Sequence, residues 1–330
     1  MISRVADHCF WFGRYLERAE STARLLQVAS GLALDAELTP LQVWQPVVII
    51  AGEQGRFPEL HGEETMARAE VVQRYLTFED RVPVSLLRSV AAARENARSM
   101  REVIPLEAWE TLNELYLFLN GPLAKTEFED NPDGFWRRIR RDVQLCVGLV
   151  RTSMLQDLPL YFISLGLQLE RVGQTARVVD VHHHAFTSTV DPKDGAEAVV
   201  QISLWLSLLR TCHGYEAFMK SHRGAVTPQT VASFLIFEAR FPHAVRHALG
   251  QARELVLDVH PASARGSQTL SHIAALEAFL VERMQANHLS PTVVHEVLTR
   301  VVDEVHSICD LVQSEIINAS PHPLSQRQVS

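Results

Sequence analysis

The sequence of 330 residues has no run of eighteen apolar residues, and it opens without the apolar core of a secretory signal. We therefore expect a cytoplasmic protein that does not enter a membrane. Its four cysteines are widely spaced and form no C-x-x-C pair, which favours free buried thiols over a zinc site. A net charge of -8 argues against a general nucleic-acid-binding protein. The motifs G-x-S-x-G, G-x-G-x-x-G and Walker A are also missing.

Patterns typical of β-strands are almost absent, whereas apolar residues recur at the i, i+3, i+4 and i+7 spacing of an α-helix. One such stripe runs from Phe12 to Leu26, and another runs from Val294 to Leu311. Prolines and glycines separate these stretches, and Ser290 before Pro291 is typical of a helix start. The sequence therefore predicts an all-α protein.

A twelve-residue segment occurs twice in the chain. Residues 13–24 and 166–177 agree at seven of twelve positions, as G-x-x-L-E-R-x-x-x-T-A-R. Ala93-Arg94-Glu95 recurs as Ala252-Arg253-Glu254, at a similar offset. This pattern predicts a tandem duplication that produces two related multi-helix lobes, each of about six helices, packed about a pseudo-twofold axis.

The predicted organisation is a first helical lobe at residues 1–156, a second helical lobe at residues 157–318 and a flexible tail at residues 319–330. The tail is polar and contains prolines, which is typical of a frayed terminus. One compact domain formed by both lobes is the alternative.

The adjacent Glu and Arg of the repeated segment cannot pair with each other, because neighbouring residues on a helix point about 100° apart. Glu17 can pair along its own helix with Arg14 or Arg24, whereas Arg18 needs a partner on another helix. Gly13 and Gly166 lie one turn before each Glu, and their missing side chains would let a second helix approach closely.

Two readings of the motif remain open. In the first, an ionic site between the lobes fixes how they meet, through Glu17, Arg18, Arg24, Glu170, Arg171 and Arg177. In the second, Glu17 and Glu170 form a carboxylate pair flanked by Arg18 and Arg171, and this site binds a metal, a phosphate or a peptide carboxylate. A di-iron bundle is disfavoured because both copies lack the Glu-x-x-His pattern. Arg94, Glu95, Arg253 and Glu254 are secondary candidates.

Other clusters carry weaker signals. His182-His183-His184, with Asp180 upstream, could hold a metal, but a polar helix end is the favoured interpretation. The basic run Arg137 to Arg141 could contact a phosphate or an acidic partner, but the acidic residues before it favour a solvated surface of mixed charge. Cys212 and His213 are adjacent in sequence, which is poor geometry for a nucleophile and its base. The sequence assigns no cofactor and no metal ligands.

The quoted motifs, together with residues 3–20, 93–98 and 109–113, resemble the bacterial alpha-E family from Met1 to about Ile317. That family is all-helical, carries an ER motif and has no established activity. Its genes accompany a circularly permuted ATP-grasp ligase, and often a transglutaminase-like peptidase. The resemblance therefore implies these two proteins as partners in a system that forms peptide or amide bonds. The chain departs from the family pattern at Gly173 and His243.

Two functions follow as expectations. The first is a non-catalytic helical scaffold, or a partner that positions substrate for the ATP-grasp ligase. The alternative is an enzyme component of that pathway, which would transfer acyl or aminoacyl groups or form amides with the paired Glu-Arg motifs. We favour the non-catalytic role, because the sequence contains no complete catalytic constellation.

Overall fold

A computed structural model describes residues 3–35, 38–189, 195–259, 267–286 and 289–318. Every regular element in these ranges is helical, which confirms the predicted all-α class. A 3₁₀ segment at Glu63–Ala67 and a π-helical turn at Val312–Ile317 accompany the α-helices. The α-helices are α1 (Ser3–Asp35), α2 (Pro40–Ile50), α3 (Arg56–His61), α4 (Ala69–Phe78), α5 (Leu86–Ser99), α6 (Leu106–Asn120), α7 (Pro122–Asp130), α8 (Pro132–Ser153), α9 (Leu158–Thr189), α10 (Gly195–Thr211), α11 (Tyr215–Ser221), α12 (Pro228–Phe237), α13 (Val245–Val259), α14 (Gln268–Gln285) and α15 (Pro291–Leu311).

The expected count of about six helices per lobe is wrong, because α1 to α8 precede residue 157 and α9 to α15 follow it. The additional helices include α3, α7 and α11, which have only 6, 9 and 7 residues. Helices this short cannot present an apolar stripe of several turns, so periodicity does not reveal them. The expected tail at residues 319–330 lies outside the described residues.

Two long helices form the centre of the molecule. Helix α1 has 33 residues and α9 has 32, so each is about 50 Å long at 1.5 Å per residue. These two helices pack against each other more extensively than any other pair of described elements, while α5 and α8 cover α1, and α13 and α15 cover α9. The buried apolar residues of the described chain form one continuous core through both halves.

The close approach expected at the two motif glycines is confirmed. A Cβ added to Gly13 would overlap the carbonyl oxygen of Ile163, and a Cβ added to Gly166 would overlap the carbonyl oxygen of Phe10. The backbones therefore touch at both positions, where any side chain would force the helices apart. This contact holds the charged residues of the next helical turn directly between α1 and α9.

Helices α2 and α10 are each followed by a residue with a left-handed backbone conformation. Helix α2 begins at a capping box on Thr39, and the turn after it places Gly52 at a φ of 77°. The turn after α10 places His213 at a φ of 59°, a left-handed conformation that residues other than glycine rarely adopt. Among the described residues, no helix is long and apolar enough to cross a bilayer.

Candidate functional site

The two Glu-Arg motifs meet at the contact between α1 and α9, and each arginine binds the glutamate of the other copy. Arg18 donates to Glu170 from Nε at 2.8 Å and from Nη2 at 3.0 Å. Arg171 donates to Glu17 from Nε and from Nη2, both at 2.7 Å. Two bidentate pairs therefore join the helices reciprocally, a geometry in which guanidinium and carboxylate match well.

The expected partners of the motif residues are correct for the arginines and wrong for Glu17. Arg18 and Arg171 find their carboxylates on another helix, as predicted. Glu17 does not pair along its own helix, because Arg14 reaches across to Glu170 at 2.8 Å and Arg24 binds Glu20 at 2.8 Å. The spacing of residues along α1 does not predict this arrangement, because the competing carboxylate, that of Glu170, belongs to α9.

Glu170 is fully surrounded by donors. Besides Arg14 and Arg18, the Nε2 atom of Gln174 donates to its Oε1 atom at 3.0 Å. Burial opposes ionisation of this carboxyl, but Arg18, Arg14 and Arg177 together hold the pKa of Glu170 well below its usual range. Glu170 is therefore a carboxylate anion near pH 7.

Arg177 differs from the other arginines of the motif. Within the described ranges, no hydrogen bond or ion pair joins its guanidinium to a carboxylate. Burial and the neighbouring charges of Arg18 and Arg14 lower the pKa of Arg177, while Glu170 opposes that effect. In the first copy, Arg24 binds Glu20 one turn earlier, and the residue one turn before Arg177 is Gly173. The second copy thus lacks the carboxylate that neutralises this arginine in the first.

Glu20 forms the second polar centre of the site. Its buried carboxylate accepts from Arg24 at 2.8 Å, from Arg140 at 3.2 Å and from Gln144 at 3.1 Å. Its other oxygen, Oε2, lies 2.9 Å from Nε2 of His213. Burial opposes ionisation, but His213 and Arg24 hold the pKa of Glu20 well below its usual range.

His213 also stacks on His243, with ring centroids 4.0 Å apart and planes 12° apart. Nδ1 of His243 lies 4.0 Å from Oε1 of Glu17, so the two rings connect the Glu20 centre to the reciprocal pairs. Burial, and then the charge of Arg171 and the neighbouring His213, lower the pKa of His243 well below its usual value. His243 therefore stays neutral near pH 7.

Two small cavities border these groups. The first, the Glu170 cavity, has a volume of about 170 Å³ and lies beside Arg14, Arg18, Ser21, Gln174 and Arg177. The second, the Glu20 cavity, has a volume of about 190 Å³ and lies beside Glu17, Glu20, Arg171, His213 and His243. Gly52 and Val84 line the first cavity, and His213 and His243 line the second.

The secondary candidates do not join this site. Arg94 donates to Asn113 at 2.8 Å and pairs with Glu95, which connects α5 to α6. Arg253 pairs with Glu254 and, at 3.1 Å, with Glu277, which connects α13 to α14. These side chains therefore bridge neighbouring helices at two other places in the fold.

The histidine triplet, expected to be a polar helix end, lies near the end of α9, where His184 is exposed and the other two histidines are buried. His182 and His183 are buried within α9, and burial lowers the pKa of each to about 4. Asp180 instead lies 2.8 Å from Nδ1 of His295 on α15. In the ranges that the structure covers, no group of three His, Cys, Asp or Glu residues is arranged to hold a metal.

The basic run of α8 is largely the solvated surface of mixed charge that was expected. Arg137 pairs with Asp133, and Arg138 pairs with Glu127. Arg140 is the exception, because it points inward to Glu20 and Gln27. The four cysteines are free and buried, and burial raises the pKa of Cys212 to about 12, which leaves it a poor nucleophile.

Comparison with known proteins identifies the family to which this helical chain belongs. The family described as a predicted alpha-helical domain with a conserved ER motif, named Alpha-E, matches residues 1–316. The chain belongs to the Alpha-E family. Both Glu-Arg pairs of the site, Glu17-Arg18 and Glu170-Arg171, lie within the matched residues. No curated protein and no solved structure matches the chain.

Several residues of this Alpha-E site escape sequence reasoning. Arg14 was expected only as a partner of Glu17, and Glu20, which also flanks the motif, was not expected at all. Arg140, His213 and His243 come from three other parts of the chain. Nothing in the local sequence indicates that His213 adopts a positive φ or that its ring stacks on His243.

Proposed function

We propose that the protein is a non-catalytic helical scaffold that positions a substrate for, or docks onto, an ATP-grasp ligase that forms peptide or amide bonds. The observation that carries this proposal is the reciprocal pairing of Glu17 with Arg171 and of Glu170 with Arg18. Both motif carboxylates are occupied by guanidinium groups, so neither is free to transfer a proton or to attack a substrate.

The burial of these pairs supports a structural role for the motif. The side chain of Glu170 is fully buried and that of Glu17 is 7% exposed. A buried pair adds little net stability compared with apolar packing, but removal of one partner is strongly destabilising, so such pairs define how two elements meet. The motif therefore acts as a lock that sets the relative position of α1 and α9.

We also propose that the chain arose by tandem duplication and that its halves are related by a pseudo-twofold axis. Reciprocal contacts at the glycines and at the Glu-Arg pairs support this proposal. An aromatic cluster of Phe57, His61 and Tyr75 also has a counterpart on α11 and α12. The counterpart consists of Phe218, His222 and Phe234.

The differences between these clusters support the same relation. Tyr75 donates to Glu53 at 2.7 Å in the first half. The second half has Phe234, without a hydroxyl, and Gly214 in the place of the carboxylate. The hydroxyl and its acceptor are thus both absent from the second half, as expected if two related clusters diverged, since a buried carboxylate without its donor is unfavourable.

The scaffold role is tested with the purified chain and a purified ATP-grasp ligase of the circularly permuted type that the family resemblance implies. We expect the two proteins to co-elute in size-exclusion chromatography, and we expect the chain to raise ligase turnover while it turns over no substrate alone. A Glu170→Gln variant, in which the lock is broken, should lose both effects. A Glu95→Gln variant changes an exposed carboxylate and serves as the control. Separate elution together with unchanged ligase activity would contradict the proposal.

A second candidate is an enzyme component of the same pathway that transfers acyl or aminoacyl groups. The observation that favours it is the Glu20–His213 pair beside a cavity, where a strained histidine could exchange a proton with a bound substrate. This enzyme would use His213 rather than the motif carboxylates. A His213→Gln variant that folds normally but abolishes product formation would support it, whereas unchanged activity of that variant would exclude it.

A further inference from the structure

We propose that the Glu170 cavity is a binding site for a small oxyanion, either a carboxylate or a phosphate group. Three guanidinium groups, those of Arg14, Arg18 and Arg177, surround the single carboxylate of Glu170. The charge of this cluster is therefore unbalanced by two positive charges, one of which belongs to an arginine without a carboxylate partner.

Arg177 cannot relieve this imbalance by losing a proton, because a guanidinium stays protonated in proteins. Its charge is half-buried, and an unpaired charge away from water is unfavourable. Glu170 cannot serve it as a further acceptor in the way it serves Arg14 and Arg18, since both of its oxygens already accept from these two arginines and from Gln174. An external anion is the remaining source of negative charge for Arg177.

At the Glu20 cavity, the corresponding arginine is Arg24, and a carboxylate of the protein itself neutralises it. Arg24 occupies the position of Arg177 in the repeated segment and binds Glu20 from one turn away. Gly173 stands in the place of Glu20 in the second copy, and a Cβ built there would lie 3.9 Å from Nη2 of Arg177. Gly173 therefore supplies no carboxylate to Arg177, whereas Glu20 supplies one to Arg24.

The lining of the Glu170 cavity suits an oxyanion. Ser21, Thr22 and Gln174 add polar side chains with hydrogen-bond donors to the two arginines of α1 and to Arg177. Exposed residues at the edge, Gly52 and His306, leave the cavity accessible from solvent. Its volume of about 170 Å³ exceeds that of one water molecule but is smaller than drug-sized pockets, which span about 300–1,000 Å³. A single carboxylate or phosphate group, free or at the end of a longer molecule, fits this size.

The experiment uses the full chain, with inorganic phosphate and glutamate as the two probes, at constant ionic strength maintained with sodium chloride. Binding is measured by calorimetry and by the rise in thermal midpoint across the millimolar range. We expect saturable binding of at least one probe to the wild type. Phosphate alone would identify a phosphate site, and glutamate alone would identify a carboxylate site.

The decisive variant is Gly173→Glu, which supplies Arg177 with the internal carboxylate that Arg24 already has. We expect it to fold and to weaken the affinity by about tenfold or more, as loss of a charge-assisted contact does. Gly173→Gln has nearly the same shape without the charge, so it controls for the added bulk and should weaken the affinity less than Gly173→Glu does. No saturable binding of either probe, or equal affinities of Gly173→Glu and Gly173→Gln, would overturn the proposal.

Discussion

The Glu170 cavity and the Glu20 cavity lie beside corresponding parts of the two repeated segments, but they differ in how their arginines are neutralised. Beside Glu20, each of Arg24, Arg140 and Arg171 contacts a carboxylate of the protein itself. Beside Glu170, Arg177 has no such contact within the described chain. One difference between the repeated segments, Glu20 against Gly173, accounts for this.

The two cavities also differ in the residue that each receives from a left-handed turn. The left-handed turn after α2 carries Gly52, which has no side chain, whereas the turn after α10 carries His213. His213 lines the Glu20 cavity, and its Nε2 atom lies 2.9 Å from Oε2 of Glu20. A left-handed histidine is less favourable than a left-handed glycine, so the contact with Glu20 offsets the strain. The arginines beside the Glu20 cavity are thus neutralised by the protein itself, while those beside the Glu170 cavity carry excess positive charge.

The largest expected effect comes from breaking the lock. Glu170→Gln should lower the free energy of unfolding by about 3–5 kcal/mol, because it leaves Arg14, Arg18 and Arg177 buried without a counter-charge. Glu17→Gln should lower it by less, since Glu20 remains near Arg171. Urea denaturation measures both values, and exposed Glu95→Gln is the control, expected to change stability by less than about 1 kcal/mol. If Glu17→Gln lowered the free energy of unfolding more than Glu170→Gln does, the inferred excess of positive charge around Glu170 would be refuted.

The glycine contact should behave equally in both copies. Gly13→Ala and Gly166→Ala each place a Cβ against a backbone carbonyl that cannot move aside, so each should lower stability by about 1–3 kcal/mol. Gly31→Ala, on the same helix α1, meets open space and should raise stability by about 0.5–1 kcal/mol. A loss at only one of the two motif glycines would break the proposed equivalence of the halves.

The substitution that converts one cavity towards the other should be stabilising. Gly173→Gln removes a helical glycine and should raise the free energy of unfolding by about 0.5 kcal/mol. Gly173→Glu should raise it by about 1 kcal/mol, because the added carboxylate lies one turn before Arg177 in the favourable order. Chemical denaturation at low salt and at high salt separates the charge contribution, which salt should reduce. Equal stabilities for the two variants would show that Arg177 gains nothing from a carboxylate.

A further effect, also below about 1 kcal/mol, concerns pH at the Glu20 cavity. The folded pKa of His243 lies well below 6.5, so below about pH 6.5 the unfolded chain binds a proton that the folded chain does not. The free energy of unfolding therefore falls as the pH falls, and His243 alone should contribute about 0.8 kcal/mol between pH 7.5 and 6.

His243→Val introduces a valine, the residue type that lines the other cavity as Val84. The variant should lack the contribution of His243 to the loss of stability on acidification. The loss on acidification that remains belongs to groups such as His182 and His183, whose folded pKa values are about 4. Unfolding curves of wild type and variant across this pH range provide the measurement. Parallel profiles would mean that the ring of His243 takes up its proton as easily in the fold as in the unfolded chain.

Much of the fold is predictable from local patterns. Helical periodicity placed Phe12, Leu16 and Leu26 on a buried stripe of α1, and all three are buried in the structure. Ser290 and Pro291 marked the start of α15 correctly. The short helices α3, α7 and α11 were missed, because their ends depend on contacts with neighbouring helices and not on a stripe of their own.

The candidate site was only half predictable. Its central residues, Glu17, Arg18, Glu170 and Arg171, are recognisable because a charged motif recurs where apolar packing would be expected. Their partners were not recognisable, since α1 is enclosed by other helices and its charges must pair with whatever those helices present. The expectation that Glu17 pairs with Arg14 or Arg24 was wrong for this reason.

The sequence by itself determined the helical class, the repeated charged motif and the two glycines that permit close approach, because each depends on neighbours within a few helical turns. The tertiary structure alone decided that each arginine binds the other copy's glutamate, that Arg140 and His213 converge on Glu20, and that Arg177 faces an open cavity. The hydrogen bonds concerned join residues more than 100 positions apart in the sequence. They form because a buried charge is unfavourable unless it is paired. Pairing of this kind depends on which helices touch, and no local pattern encodes it.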